Sequence, residues 1–228
     1  MGGLIIRISF AYGRKRIVFC WRIGDWDWRG AAPFAGGLRL RYPPQKFSAF
    51  LTMLNKIEIG QTITLTYCEQ KLAHFVARHR NGNNRHFNVA NLKISAESPL
   101  TVDLEGIAGE IAFCRLFNVY PDLDTDRPPP HPFYDATIPP PPGYRIDVKT
   151  TKYDNGKLLV DARKDSVKTN AIDFYVLMTG TFPGPYTYRG MIAREIIIAP
   201  HRIETIKGYR SYVAIQSELV ANPMDATF

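Results

Sequence analysis

Asp147 and Lys149 stand two residues apart in GYRIDVKTTK, residues 143–152. The stretch has the make-up of a β-strand, so both charged side chains share one face and Val148 takes the other. A second carboxylate, Asp135, lies in FYDATI, a short run that predicts a strand pairing antiparallel with the first. That pairing brings Asp135 across from or diagonal to Asp147. A third carboxylate, Glu110, sits in GIAGEIAFC. Its helical neighbours at three and four positions are Gly106, Ile107, Phe113 and Cys114, which puts it on or beside an apolar face. A charge there is expensive unless a cation or hydrogen bonds meet it. Two carboxylates at strand distance repel, and without compensation one has its pKa raised. A divalent cation resolves the conflict, because Mg²⁺ takes one or two carboxylates together with waters and phosphate oxygens. Asp135 and Asp147 are then the expected metal ligands, the backbone carbonyl of Val148 a further one, and Glu110 the holder of an outer water or a second ion. The chemistry is attack of water on a phosphate. The ion lowers the pKa of its bound water, and Lys149 orients that water and stabilises the transition state as a point charge. The neighbouring carboxylates favour the charged ammonium, which argues against Lys149 as a neutral general base.

These residues need a helix and a sheet to bring them together. TVDLEGIAGEIAFCRLFNVY predicts a helix capped by Asp103 or Thr101 and running to about Asn118, with Glu105 in its first turn suiting the positive helix end. Eight of the 17 prolines fall between residues 128 and 142. Proline cannot donate to a sheet ladder, so these runs bracket the strand over 133–138. The second strand covers 144–153, and DNGK at 154–157 predicts a tight hairpin turn into LLVDA. RKDSVKTNA reads as a short helix, IDFYVLMT as a buried strand, and YTYRGMIAREIII as a strand that runs into a helix or loop. The order α-β-β-β-α-β, with an extra strand after it, predicts an α/β chain built on a mixed sheet covered by helices.

Glu110, Asp135 and Asp147-Val148-Lys149 on that pattern resemble the PD-(D/E)XK nuclease superfamily, the restriction-endonuclease-like fold. The resemblance covers about residues 103–180 and is closest to stand-alone members found in phage and bacterial genomes. GEIAF is similar to the family's helix motif, YDATI carries the first Asp, and IDVKTT the acidic-x-Lys element. Tyr134 stands where the family has a proline. The resemblance implies a magnesium-dependent active site made of Glu110, Asp135, Asp147 and Lys149, with Mn²⁺ as a substitute for Mg²⁺, that hydrolyses phosphodiester bonds in a bacterial or phage-infected cytoplasm.

The two halves of the chain differ in charge. Residues 1–97 hold 15 Lys+Arg against 5 Asp+Glu, and residues 98–228 hold 14 against 16, within a formal net charge of +8. A basic half suits a polyanion. The expected organisation is a basic, β-rich nucleic-acid-binding domain over 1–97 and a nuclease domain over 98–228. In the first, GLIIRISFAYGRKRIVFCWRI predicts two strands, QTITLTYC a half-buried strand, and PQKFSAFLTMLNKI a short helix. Arg14, Lys15 and Arg16 at a hairpin tip, and Arg78, Arg80 and Arg85 in one short loop region, are the expected phosphate contacts, joined by Lys152 and Lys168 from the second half. Tyr12, Trp26 and Trp28 are read as packed rather than stacking on bases. The stretch 77–95 also resembles the core of HNH nucleases, through His79, an Asn81-Gly82-Asn83 turn and Asn91-Leu92. The metal-ligand positions of that motif are lost at Arg78 and at His86-Phe87.

Cys20, Cys68 and Cys114 form no CxxC pair and are read as buried, reduced thiols. No apolar run approaches the ~18 residues of a membrane span, and no basic-then-apolar leader opens the chain. The expected activity is endonucleolytic cleavage of DNA, with RNA left open and a two-fold dimer expected if both strands of a duplex are cut. The alternatives are a non-catalytic nucleic-acid-binding protein on the same fold, and an HNH-like nuclease centred on His79.

Overall fold

The computed structural model describes residues 4–12, 15–23, 57–87, 97–125, 134–139, 143–162 and 171–226, the first two ranges through their backbone alone. Arg14, Trp26, Trp28 and Lys168 lie outside the described residues, as do all but the last residue of each of the helices expected over 44–57 and 163–171. Chain contacts divide the protein after Tyr42, into Met1–Tyr42 and Pro43–Phe228. The boundary expected at 97/98 therefore falls inside the second unit.

The first unit contains the predicted hairpin. Strands β1 (Leu4–Tyr12) and β2 (Lys15–Ile23) pair antiparallel from Leu4↔Ile23 to Tyr12↔Lys15. Lys15 and Arg16 open β2.

The second unit is mixed α and β. Its five-stranded sheet has the order β3-β8-β7-β5-β4, from β3 (Thr62–Ile63), β4 (Ala136–Ile138), β5 (Tyr144–Thr151), β7 (Phe174–Thr179) and β8 (Tyr186–Ala193). β5 and β7 run parallel, and the other neighbours are antiparallel. β7 is buried along its whole length, as its unbroken apolar run FYVLM requires of a central strand. β6 (Leu158–Asp161) departs from expectation. It makes no hairpin with β5 but joins a second, three-stranded sheet, β6-β10-β9, with β9 (Ile203–Ile206) and β10 (Tyr209–Ala214). β5 already gives its two edges to β4 and β7, and Leu158 and Val160 find their apolar partners elsewhere. They enter a core cluster with Tyr175, Leu177, Ile192, Ile197 and Tyr212. Asp154-Asn155 still forms a tight turn, closed by the Gly156 amide donating to the Tyr153 carbonyl at 2.9 Å.

Of the strand expected over 61–68, only Thr62–Ile63 is extended, as β3, and helix α1 (Tyr67–His86) takes its last two residues. Its start is a reciprocal capping box: the Thr66 side chain accepts from the Glu69 amide, and the Glu69 carboxylate accepts from the Thr66 amide at 2.6 Å. Leu72, Ala73, Val76 and Ala77 form its buried stripe. Helix α2 (Pro99–Leu116) is the predicted helix, but Ser98 caps it, accepting from the Thr101 amide at 3.1 Å, with Pro99 in the first turn. Glu105 is consequently past the first turn. Its carboxylate accepts from the Phe182 amide at 2.9 Å and the Tyr186 hydroxyl at 3.0 Å, tying α2 to the β7–β8 connection. Asp103 accepts from the Asn81 side chain, Nδ2 to Oδ2, at 2.8 Å, a link between α1 and α2. A short helix α3 (Arg194–Ile197) follows β8. Among the described residues no helix is long and apolar enough to cross a membrane. Cys114 is buried as expected, whereas Cys68, on the outer side of α1, is exposed.

Close approach of α2 to β5 rests on Gly109. A Cβ at that position would lie 2.0 Å from Thr150 Oγ1 and 3.0 Å from Thr150 Cβ and Cγ2. A Cβ at Gly106, one turn earlier, would meet nothing within 4 Å. Gly109→Ala is expected to destabilise the protein by about 1–3 kcal/mol through overpacking. Gly106→Ala is expected to be neutral or stabilising by up to about 1 kcal/mol, because it removes backbone freedom from the unfolded chain. Thermal denaturation of the two variants side by side reads this contrast.

Candidate active site

Asp135 immediately precedes β4 and is held at three points. Its amide donates to the Ile146 carbonyl at 2.7 Å, its carbonyl accepts from the Asp122 amide at 2.9 Å, and its Oδ2 accepts from the Val148 amide at 2.7 Å. The β4–β5 register pairs Ala136 with Ile146, so Asp135 lies at the next step along the ladder, opposite Asp147. β5 then alternates as its sequence demands: Ile146 and Val148 are buried, while Asp147 and Lys149 lie on the other face, partly exposed. The Lys149 ammonium is hydrogen-bonded to Asp147 Oδ1.

Glu110 comes from the middle of α2, one residue after the Gly109 contact, with its side chain 13% exposed. Its partner is Arg80 of α1, whose Nη1 lies 3.3 Å from Glu110 Oε2. The same guanidinium donates to the Asp122 carbonyl at 2.8 Å and the Asp124 carbonyl at 3.3 Å, and lies 3.6 Å from the Asp122 carboxylate. One side chain therefore ties α1 to α2 and to the segment that leads into β4.

The electrostatics join these groups into one cluster. Burial raises the Asp135 pKa well above the usual carboxylate value, and the charges of Glu110 and Asp147 raise it further, against the opposing pull of Lys149 and the Val148 amide. Burial also raises Glu110, with Arg80 opposing and Asp147 adding to the rise. Burial works against the Lys149 ammonium, but Asp147, Asp135 and Glu110 outweigh it and hold its pKa above the ordinary lysine value. Behind the cluster, burial and then Glu110, Asp135 and Asp122 push the Cys114 thiol well up, so it stays protonated and inert. Four carboxylates, Glu110, Asp122, Asp135 and Asp147, thus face two cations, Arg80 and Lys149. The excess is negative and invites a further cation.

The four residues expected to do chemistry are brought together. Among the described residues no three His, Cys, Asp or Glu side chains stand in position to hold an ion together. Lys149 lies on Asp147 and Arg80 on Glu110 instead. For Val148, the backbone group that touches the cluster is its amide, through Asp135.

The expected phosphate contacts fare differently. Arg78, Arg80 and Arg85 do not share a loop; all three are on α1. Arg80 is engaged internally, while Arg78 and Arg85 are exposed. Lys152 is exposed and paired with Glu97. The HNH-like stretch is also helical through His86, so Asn81-Gly82-Asn83 makes no turn. The His79 ring packs on Phe75, with centroids 4.3 Å apart. Asn81 and Asn83 donate to Asp103 and to the Thr125 carbonyl. Asn91-Leu92 lies outside the described residues.

The sequence reading placed Arg80 among the phosphate contacts and not in the cluster, and did not single out Asp122. The signal for Arg80 was the Thr66-x-x-Glu69 capping pair, which starts a helix and places residue 80 four positions after Val76 and three after Ala77, next to the buried stripe. Loss of its charge leaves Glu110 facing Asp122, Asp135 and Asp147. Arg80→Met is expected to cost about 1–3 kcal/mol, read by urea denaturation.

No curated protein and no solved structure matches the chain. A family model matches residues 55–183, a span that contains Arg80, Glu110, Asp135, Asp147, Lys149 and helices α1 and α2. The chain belongs to that family, described as a family of unknown function (DUF5843).

Proposed function

We propose that the cluster is the active site of a divalent-metal-dependent nuclease acting on DNA, on a core of the restriction-endonuclease-like kind. The observation that carries this reading is the convergence of Glu110, Asp135, Asp147 and Lys149, seen in their mutual effects on protonation and in the Asp135–Val148 and Lys149–Asp147 hydrogen bonds. The order α2-β4-β5-β7, with β4 and β5 antiparallel and β5 and β7 parallel, supports the fold assignment. β6 departs from it by joining the other sheet.

The donor set fits a hard cation. All candidate ligands are oxygens, the carboxylates are in excess over their cations, and Mg²⁺ needs only one or two carboxylates, completing its shell with water. Asp135 and Asp147 would hold Mg²⁺ or Mn²⁺, with Glu110 on its outer side and the Val148 carbonyl as a further ligand. When bound, the ion supplies a water of lowered pKa and a countercharge for the phosphate. The chain's own groups do the rest. The Val148 amide fixes the Asp135 carboxylate. Arg80 opposes the burial that raises the Glu110 pKa and holds its carboxylate through Oε2. Lys149, held charged by its neighbours, donates to a phosphate oxygen or to the attacking water, where it offsets developing negative charge.

The pairing of Lys149 with Asp147 and of Arg80 with Glu110 favours one second reading: a non-catalytic nucleic-acid-binding protein in which the carboxylates are neutralised internally. Supercoiled plasmid incubated with Mg²⁺ or Mn²⁺, against an EDTA control, separates the two. Metal-dependent nicking or linearisation is the expected result. DNA and RNA left intact from pH 6 to 9, with binding retained, would establish the second reading. Cleavage that survives Lys149→Ala and disappears in His79→Ala would move the chemistry to α1.

A further inference from the structure

Helix α1 presents a second face whose chemistry the site does not use. At about 100° per residue, Tyr67, Lys71, Arg78, Gly82 and Arg85 fall within about 60° of arc, on the side opposite Arg80. All five are exposed, Tyr67 to 71%. The stripe is about 27 Å long at a rise of 1.5 Å per residue. Its three cations recur every seven residues, roughly 10 Å apart, and among the described residues none of them pairs with a carboxylate. The one acidic residue of α1, Glu69, is buried on the other side against Arg115 at 3.0 Å. The Lys71 ammonium sits over the Tyr67 ring, 5.1 Å from its centroid. At Gly82 an added Cβ would meet nothing within 4 Å, so the helix backbone is bare between Arg78 and Arg85.

We infer that this outward face of α1 is a nucleic-acid-binding surface that tracks a phosphate backbone and is separate from the carboxylate cluster. Regular cations on a rigid rod match a regular polyanion, and the acid-free stripe adds no repulsion. Gly82 lets a sugar–phosphate chain approach the helix closely, and Tyr67 offers a stacking face for an unpaired base. Arg78 and Arg85 then serve the role expected of them, with Lys71 as an unforeseen third contact and Arg80 withdrawn from it. The inference rests on the nuclease reading for one point, that the ligand is nucleic acid; it needs no cleavage.

Fluorescence anisotropy with a labelled 30-nucleotide single strand and the matching duplex, in EDTA, tests it on the full chain. The charge-reversed variant Lys71→Glu/Arg78→Glu/Arg85→Glu is compared with Lys157→Glu/Lys207→Glu/Arg210→Glu, which makes the same change in charge at exposed positions elsewhere. Circular dichroism verifies that both fold. The α1 variant is expected to lose at least tenfold in affinity, and its log K against log[salt] slope to fall by about 2–3, the contribution of three phosphates. The control is expected to lose no more than about twofold. Tyr67→Ala is expected to weaken the single strand about tenfold and the duplex little. Equal losses in both triple variants, or an unchanged slope in the α1 variant, would overturn the inference. So would displacement of DNA by polyglutamate at matched charge concentration, which would assign the stripe to an acidic protein. Wild-type protein that binds through this face but never cleaves leaves the inference standing and removes only the nuclease reading.

Discussion

Lys149→Met is expected to lower metal-dependent DNA cleavage by about 10²–10³-fold at saturating substrate while leaving the protein folded. Methionine keeps most of the aliphatic stem and its packing but removes the charge. The ammonium belongs to β5, whose register against β7 is fixed over six residue pairs, Ile146↔Phe174 to Thr151↔Thr179. Backbone position therefore changes little. What changes is the field: Asp147, Asp135 and Glu110 lose the cation that opposes their mutual repulsion, and the phosphate loses a point charge at the moment negative charge develops on it. The loss should appear in kcat, because substrate is held over a surface far larger than one ammonium. Single-turnover cleavage of a plasmid, with folding verified by circular dichroism, reads the effect. Activity within threefold of wild type would remove Lys149 from the chemistry.

Asp135→Asn is expected to abolish cleavage, by more than about hundredfold, and at the same time to make the protein more stable. Asparagine retains an oxygen to accept from the Val148 amide, so the local geometry survives. It removes a charge whose pKa burial, Glu110 and Asp147 all raise. A carboxyl whose folded pKa lies above its unfolded value contributes its full stability below the unfolded value, near 4, and loses it as pH rises through the folded value. Wild type should therefore weaken over that window, and the variant should weaken less, because only Glu110 of the two raised carboxyls remains. The difference is expected to vanish in acid, to grow as pH rises, and to reach on the order of 1 kcal/mol near neutrality, or about 2–4 °C in Tm for a chain of this size. Mg²⁺ should raise the Tm of wild type and not of the variant, closing the gap. Differential scanning fluorimetry across pH 4–8, with and without Mg²⁺, resolves all three features.

The elements that position the cluster were the legible ones. Glu110 lies beside an apolar helical stripe, Asp147 and Lys149 alternate with Ile146 and Val148, and prolines bracket β4. Each of these is a local signal that tertiary contacts did not override. Three misreadings have causes of their own. QTITLTYC alternates like a strand, but the reciprocal bonds of Thr66 and Glu69 start a helix inside it. DNGK has hairpin composition, and it does turn the chain, but β6 pairs with β10, about fifty residues away, because β5 has no free edge. The boundary expected after residue 97 followed charge, which reports on partners and not on packing; α1 belongs with α2 through Arg80–Glu110 and Asn81–Asp103. The Gly109–Thr150 contact was foreseen only as room near Glu110. What it requires, a helix close against a particular strand residue, is a long-range fact that no local pattern contains.

The most direct test of the central claim is anomalous scattering from a crystal of the protein soaked in Mn²⁺. An ion with carboxylate oxygens of Asp135 and Asp147 in its shell, and the Lys149 ammonium displaced from Asp147 Oδ1, is the predicted result. Lys149 still on Asp147, with no density between the two aspartates at Mn²⁺ concentrations that occupy other carboxylates of the same crystal, would contradict it.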